Sequence, residues 1–267
     1  MRDFLLPGFR FVPSGLWQIM IVQACINGNR DRAFHPAVPL TRDAIVADAA
    51  AVVAAGAAEV HLHVRDRDGR ETLRPDVVDE TIEAVRRACP GSFVGISTGE
   101  WIEGDDARRR DYLRSLAVLP DRASVNYADA DYAGVVAILR ERGIGVEAGL
   151  ATVADARRLI ETGADPAVLR VLIEIDIQDA TAARAEQEAI EAVLARVPVR
   201  KPILLHGVDA TVWTFVDAAF AHGYLTRVGF EDGRTLPDGS IADSNAAIVA
   251  AAVEKRAARQ IKNVRLL

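Results

Sequence analysis

Two histidines separated by one residue, His61-Leu62-His63, lie within the run Glu59-Val60-His61-Leu62-His63-Val64-Arg65. A short apolar run of this kind reads as a β-strand, and residues i and i+2 of a strand project from one face. Both imidazoles therefore point the same way, and two convergent imidazoles begin a divalent-metal site. An isolated His-X-His is more often a hydrogen-bonded pair at a strand end, so other residues must decide. The run Thr226-Arg227-Val228-Gly229-Phe230-Glu231-Asp232 offers Glu231 as a third, carboxylate ligand. Two imidazoles and one carboxylate hold a catalytic zinc and leave a coordination position open. Asp232 is placed to accept a hydrogen bond from Arg227 or from a ligand histidine, and a buried Arg–Asp pair near a metal can take a proton.

The elements that must position these groups alternate regularly. Short runs rich in Val and Ile predict strands over residues 18–25, 59–65, 93–98, 122–127, 145–150, 169–175, 202–208 and 225–231. Helical segments are expected between them, over residues 41–57, 75–88, 105–116, 131–142, 153–162, 181–196, 211–221 and 245–262. Thr41 is a suitable N-cap, Pro75 suits a first helical turn, and Arg142-Gly143 and Thr162-Gly163 have the cation-then-glycine form of a helix end. Strand–helix repetition with short connections gives a parallel sheet with right-handed crossovers. Eight units in 267 residues predict a closed (β/α)8 TIM barrel as one domain, over residues 18–267, preceded by an arm of residues 1–17. A doubly wound open sheet would want a glycine-rich phosphate turn after the first strand, and Ile26-Asn27-Gly28-Asn29-Arg30 is not one.

In such a barrel the reactive groups collect at the C-terminal ends of the strands. Here those ends carry Asn27 and Arg30, then His61, His63, Arg65 and Asp66, then Ser97-Thr98-Gly99, then Ser124 and Asn126. Glu147, Glu174 and His206 follow on later strands. Burying such groups is costly unless they are paired or bind a cation. Taken singly, each has a plainer account. Glu147 and Glu174 can pair with Arg170 or Arg227, Ser124 and Asn126 can satisfy backbone groups, His206 and His222 read as structural, and His35 reads as a loop residue.

Composition narrows the class. Half the residues are hydrophobic and the net charge is −6, which argues against nucleic acid as the main partner. Cys25 and Cys89 form no CxxC or zinc-type spacing and suggest reduced thiols, Cys25 being more plausible as a buried thiol than as a nucleophile. No secretory signal or membrane-length apolar run is evident, so a soluble cytoplasmic protein with no membrane partner is expected.

His61-Leu62-His63-Val64-Arg65-Asp66, Ser97-Thr98-Gly99, the Arg227–Asp232 run and Ser244-Asn245-Ala246, in this order, resemble the β-keto acid cleavage enzymes from about the first strand to the last helix. The resemblance implies Zn2+ held by His61, His63 and Glu231, and a reaction in which a β-keto acid and acetyl-CoA give acetoacetate and a new acyl-CoA. It further implies that Arg227 and Asp232 serve the acid/base step that makes the attacking enolate. Ser97 with the backbone of Thr98 and Gly99 would grip the substrate carboxylate, with Ser124 and Asn126 lining the pocket. Glu147 would orient the keto group or a zinc-ligand neighbour. A homo-oligomer, tetramer or dimer, is implied in the same way.

Two departures stand out. An amine-recognising branch of that family has a glutamate in the turn after the first strand, which meets the substrate's ammonium group. Here the turn is Asn27-Gly28-Asn29-Arg30, so a neutral polar or anionic tail contacted by Asn29 or Arg30 is expected instead. Glu100 follows Ser97-Thr98-Gly99 where the family often has glycine, and it threatens to crowd the substrate carboxylate. Three rivals stay open on the sequence. Amidohydrolases also use His-X-His, but on the first strand and with further histidines, whereas this chain has 5 in all. A CoA-independent metal-dependent aldolase or β-keto acid hydrolase is the second, and a metal-stabilised scaffold without catalysis is the third.

Overall fold

A computed structural model of the chain describes residues 20–163, 166–196 and 201–264, without the side chains of the last five of these. The arm of residues 1–17 and the first two residues of the expected first strand lie outside the described residues.

Eight parallel strands, each followed by a helix, make a TIM barrel. The strands are β1 (Val22–Cys25), β2 (Glu59–Leu62), β3 (Phe93–Ser97), β4 (Arg122–Asn126), β5 (Gly145–Leu150), β6 (Val168–Ile175), β7 (Ile203–Gly207) and β8 (Thr226–Val228). The helices are α1 (Arg42–Ala54), α2 (Pro75–Ala88), α3 (Asp106–Ser115), α4 (Tyr132–Arg142), α5 (Val153–Glu161), α6 (Ala180–Leu194), α7 (Val212–His222) and α8 (Asn245–Val264). The sheet runs in the order β7-β6-β5-β4-β3-β2-β1-β8. The ring closes where Leu205 N donates to Leu225 O and Leu225 N donates to Ile203 O, both at 2.9 Å. Among the described residues, no helix is long and apolar enough to cross a membrane.

Local chemistry explains the helix starts. The Thr41 hydroxyl accepts from Ala44 N, Asp105 from Arg108 N and Asp179 from Ala182 N, each satisfying an otherwise orphaned amide. Thr152 and Asp155 form a reciprocal capping box on α5.

The expected strand over residues 225–231 is shorter than the apolar pattern suggested. β8 stops at Val228, so Glu231 and Asp232 stand on the turn after it, where Asp232 N donates to Gly229 O at 3.0 Å. Gly229 causes the stop. Its φ of 153° is rare for other residues, and a Cβ there would lie 2.0 Å from Cys25 O.

Strand residues facing outward pack apolar side chains against the helices, whereas the barrel's interior floor is charged. Glu59, Arg122, Glu147 and Arg170, from β2, β4, β5 and β6, form a buried cluster of two carboxylates and two guanidiniums. Arg122 and Arg170 donate to Glu59 Oε2 at 2.6 and 2.7 Å. Glu147 Oε1 accepts from Arg170, from Arg122 at 3.4 Å and from Gln23 at 3.3 Å. Burial pushes the Glu147 carboxyl up, but Arg170 and Arg122 outweigh it and hold the group at about 2. Removing one partner strands the other charge. Glu147→Gln should therefore lower unfolding stability by about 3–5 kcal/mol in denaturant titrations at neutral pH. Because the folded value is depressed, the wild type keeps this stabilisation above the ordinary carboxylate range. It should lose it as the pH falls from there toward about 2, while Glu147→Gln shows no such loss.

Candidate metal centre and active site

His61 is the last but one residue of β2, and His63 lies one residue beyond the strand. Asn27 keeps His63 in line. Its Oδ1 accepts from His63 N and its Nδ2 donates to His63 O, both at 2.9 Å, so a side-chain amide prolongs the β1–β2 ladder past the end of the strands. The two imidazoles meet edge to face with centroids 5.4 Å apart. Glu231 closes the set from across the mouth: its Oε2 lies 3.7 Å from His61 Nε2 and its Oε1 lies 3.5 Å from His63 Nε2. One ligand atom from each of the three residues falls within 4.8 Å of the others.

Several contacts fix Glu231. Its N–H donates to Cys25 O at 3.3 Å, its carbonyl accepts from Arg30 Nε at 3.2 Å, and Arg227 donates to its Oε1 at 2.9 Å. Asn245, at the start of α8, accepts from Phe230 N at 2.6 Å and donates to Ile26 O at 2.7 Å and Asp48 at 2.6 Å. The Ser244-Asn245 motif thus ties the turn carrying Glu231 to β1 and α1. Gly28 leaves the space that Glu231 fills. Its φ is 53°, and a Cβ there would lie 2.4 Å from Glu231 Cγ.

The donor set fits a divalent cation. Glu231 Oε2 is buried with no hydrogen-bond partner although His61 Nε2 lies 3.7 Å away, an arrangement that a cation would satisfy. Burial lowers His61 to about 4, which keeps it neutral, the form that ligates. Burial also lowers His63, but Glu231 and Glu71 overcome it and raise the group to about 9, so a cation competes with a proton there.

Beside this set lies a second buried group of charges. Arg227 donates to Asp232 Oδ1 at 2.7 Å, and Asp232 Oδ2 meets the Cys25 thiol at 2.9 Å and His206 Nδ1 at 3.3 Å. Burial raises Asp232, and Arg227 and His206 more than offset it, leaving the carboxylate ionised. His206 Nε2 lies 3.2 Å from Glu174 Oε2, and the Glu174 side chain is partly exposed at the mouth. Burial and the nearby Asp232 push the Cys25 thiol well up, which excludes a resting thiolate nucleophile.

The remaining expected residues fall around this pair. Ser97, Ser124 and Glu147 stand in register on β3, β4 and β5. Thr98 spends its hydroxyl on Ser124 O at 2.7 Å, and within the Ser97–Gly99 turn Gly99 N donates to Ser97 Oγ at 3.4 Å. Arg109 anchors that turn through Thr98 O and Asp129, both at 3.1 Å. The Glu100 carboxylate turns aside and accepts from Ala130 N at 3.3 Å, which relieves the crowding expected of it. Asn126 lies further along β4, opposite Gly149. Asn29 is exposed on the β1–α1 turn. Arg30 reaches Asp209 through NH2 at 3.1 Å and covers the Phe34 ring at 4.2 Å. Arg65, the arginine of the His-X-His-X-Arg-Asp run, donates to Gly28 O and to Arg30 O, so it shapes the turn that carries Asn29 and Arg30. Glu147 differs from the rest in being engaged by Arg170, Arg122 and Gln23 in the floor.

Sequence reasoning missed Glu71, which meets His63 Nδ1, and took His206 and Cys25 as structural although both touch Asp232. His206 shared its strand-end position with the other polar residues, which was a usable signal. Nothing in the spacing pointed to Glu71.

Residues 19–264 match the family model of the β-keto acid cleavage enzymes. The chain belongs to that family. Relatives within or near the β-keto acid cleavage enzymes agree. Identity is 26% over 248 residues with the 3-keto-5-aminohexanoate cleavage enzyme of Fusobacterium nucleatum, spanning 87% of this chain and 89% of that one. It is 35% over 109 residues with the 3-oxoadipate:acetyl-CoA acetyltransferase of Cupriavidus necator, spanning 40% and 37%. Among solved structures, the 3-dehydroquinate dehydratase of Geobacillus kaustophilus superposes with a TM-score of 0.59 at 11% identity, covering 88% of this chain and 91% of that one. That likeness concerns the barrel alone.

Gly28→Ala should keep the fold and lose bound metal, since the added methyl displaces Glu231. Metal content of the purified variant, set against its circular dichroism spectrum, checks this.

Proposed function

We propose that this β-keto acid cleavage enzyme is metal-dependent and condenses a β-keto acid with acetyl-CoA, giving acetoacetate and a new acyl-CoA. The observation that carries the reading is the convergence of His61, His63 and Glu231 on one point, with Glu231 sharing the Arg227 guanidinium with Asp232. When bound, a Zn2+ ion at these residues would act as a Lewis acid for the keto oxygen. Manganese or cobalt suits the same donors.

The chain's own residues account for the rest. Ser97, with the backbone of Thr98-Gly99, holds the substrate carboxylate, and Ser124 and Asn126 bound the pocket. Asp232 removes a proton from the carbon between the keto and carboxylate groups. The resulting carbanion attacks the acetyl carbonyl, and the CoA thiolate leaves. That thiolate then adds to the original ketone, the carbon–carbon bond breaks, and Asp232 returns its proton to the departing acetoacetate carbon. Atoms and charge balance over the cycle. Arg227 keeps Asp232 ionised between turnovers and orients it.

The turn Asn27-Gly28-Asn29-Arg30 carries no carboxylate, which supports a neutral polar or anionic tail on the keto acid, contacted by Asn29 or Arg30. Cytoplasmic location and a dimer or tetramer are proposed on family likeness.

Metal-stripped enzyme should be inactive and recover with zinc, and acetoacetate should form only when acetyl-CoA is present. Cleavage without acetyl-CoA would support the aldolase or hydrolase alternative. Asp232→Asn should retain metal and lose about 10²–10⁴-fold in kcat. In a panel of β-keto acids, an amine-bearing substrate should have the lowest kcat/KM, and its clear preference would refute the assigned tail.

A further inference from the structure

His63 is held from both sides. Its Nε2 faces Glu231 at 3.5 Å and its Nδ1 meets Glu71 Oε1. The other oxygen of Glu71, Oε2, accepts from the Trp101 indole Nε1 at 3.1 Å. One carboxylate therefore joins a metal ligand to an aromatic side chain at the rim. The Glu71 position is set by the backbone, because residue 71 pairs with Arg65 in an isolated antiparallel bridge and Thr72 N donates to Val64 O at 3.0 Å. The loop thus folds back onto the end of the histidine strand.

Trp101 is unusual in its own right. It is 49% exposed, although a large aromatic gains by burial. Its ring lies nearly parallel to His63, at 26° and 6.4 Å between centroids. It also covers Gly99, where a Cβ would lie 2.2 Å from Trp101 Cη2. The indole is therefore a wall beside the turn assigned to the substrate carboxylate, and Glu71 is its polar attachment.

We propose that Glu71 is a positioning residue with two tasks: it aims His63 Nε2 at the cation, and it pins the Trp101 indole as a wall over the Ser97–Gly99 turn. This rests on the metal-dependent reading above. A neutral imidazole that ligates through Nε2 carries its proton on Nδ1, and a carboxylate accepting that proton fixes the tautomer and the ring orientation and strengthens the donor. Two N–H donors, one from His63 and one from Trp101, need two acceptor oxygens. A carboxylate supplies both, whereas an amide supplies one.

Chelator-competition titrations with zinc on wild type, Glu71→Ala, Glu71→Gln and Trp101→Phe test this. Acrylamide quenching of the emission component that Trp101→Phe removes is read in parallel. Glu71→Ala should weaken zinc binding about 10–100-fold and make that emission more quenchable, with an unchanged far-ultraviolet spectrum. Glu71→Gln should restore only one of the two readouts. Trp101→Phe should bind zinc within about twofold of wild type, because Glu71 still holds His63, and should raise KM for the keto acid more than it lowers kcat. Wild-type zinc affinity or wild-type quenching in Glu71→Ala overturns the assignment, as does full recovery of both in Glu71→Gln. Failure of the wild type itself to bind zinc overturns the metal-dependent reading, and the Glu71 assignment with it.

Discussion

One buried guanidinium organises the mouth of this barrel. Arg227 donates to Glu231 at 2.9 Å and to Asp232 at 2.7 Å, and lies 3.4 Å from Glu174. Neighbouring carboxylates buried together would repel each other and take up protons. With Arg227 between them, Glu231 and Asp232 both stay ionised, and their surroundings differ. Glu231 has an unpaired oxygen facing His61, which suits a cation. Asp232 has both oxygens occupied by protein groups, so its environment, more than its charge, is what the fold specifies. The adjacent residues of a single turn thus acquire separate chemistry from the directions in which they point.

The interior beneath them follows the same logic. Barrels of this type usually fill their centre with branched apolar side chains. Here the floor is a neutral cluster of two glutamates and two arginines, with Gln23 beside it. Such a cluster is a poor source of net stability, since desolvation consumes much of the Coulombic gain. What it supplies is rigidity and a defined field. Glu147 is within electrostatic reach of His61 and raises its proton affinity, in opposition to burial. The layer beneath His61, His63 and Glu231 is therefore fixed by directional bonds.

Much of this was legible in the sequence, for physical reasons. Short runs rich in Val and Ile recur between helical segments at a regular spacing, so all eight strands could be read despite the polar residues they turn into the barrel, and α2 begins at Pro75 and ends at Ala88 as its proline and following sequence require. The His61/His63 pair was legible because a strand's period of two places both on one face. Glu231 comes near the pair because β8 lies beside β1, as the closed barrel requires, but it does so from the turn after Gly229, against Gly28, and not from within the strand. Glu71 and the Cys25–Asp232 contact were not legible, because the first depends on a loop folding back onto the end of β2 and the second joins residues 207 apart in the chain, whereas His206 at least shared the strand-end position of the other polar residues. Glu147 shows the converse. Its polar character was evident and Arg170 was among its expected partners, but Arg122 and Gln23, on β4 and β1, were not.

The amide of Asn27 stands in for two rungs of backbone pairing at His63, and a third bond from its Nδ2 reaches Pro39 O at 3.2 Å. The side chain is fully buried, so these bonds are sheltered from competing water. One neutral side chain thus fastens three stretches of chain at the lip of the barrel, and an aspartate in its place would set a negative charge against two carbonyl oxygens.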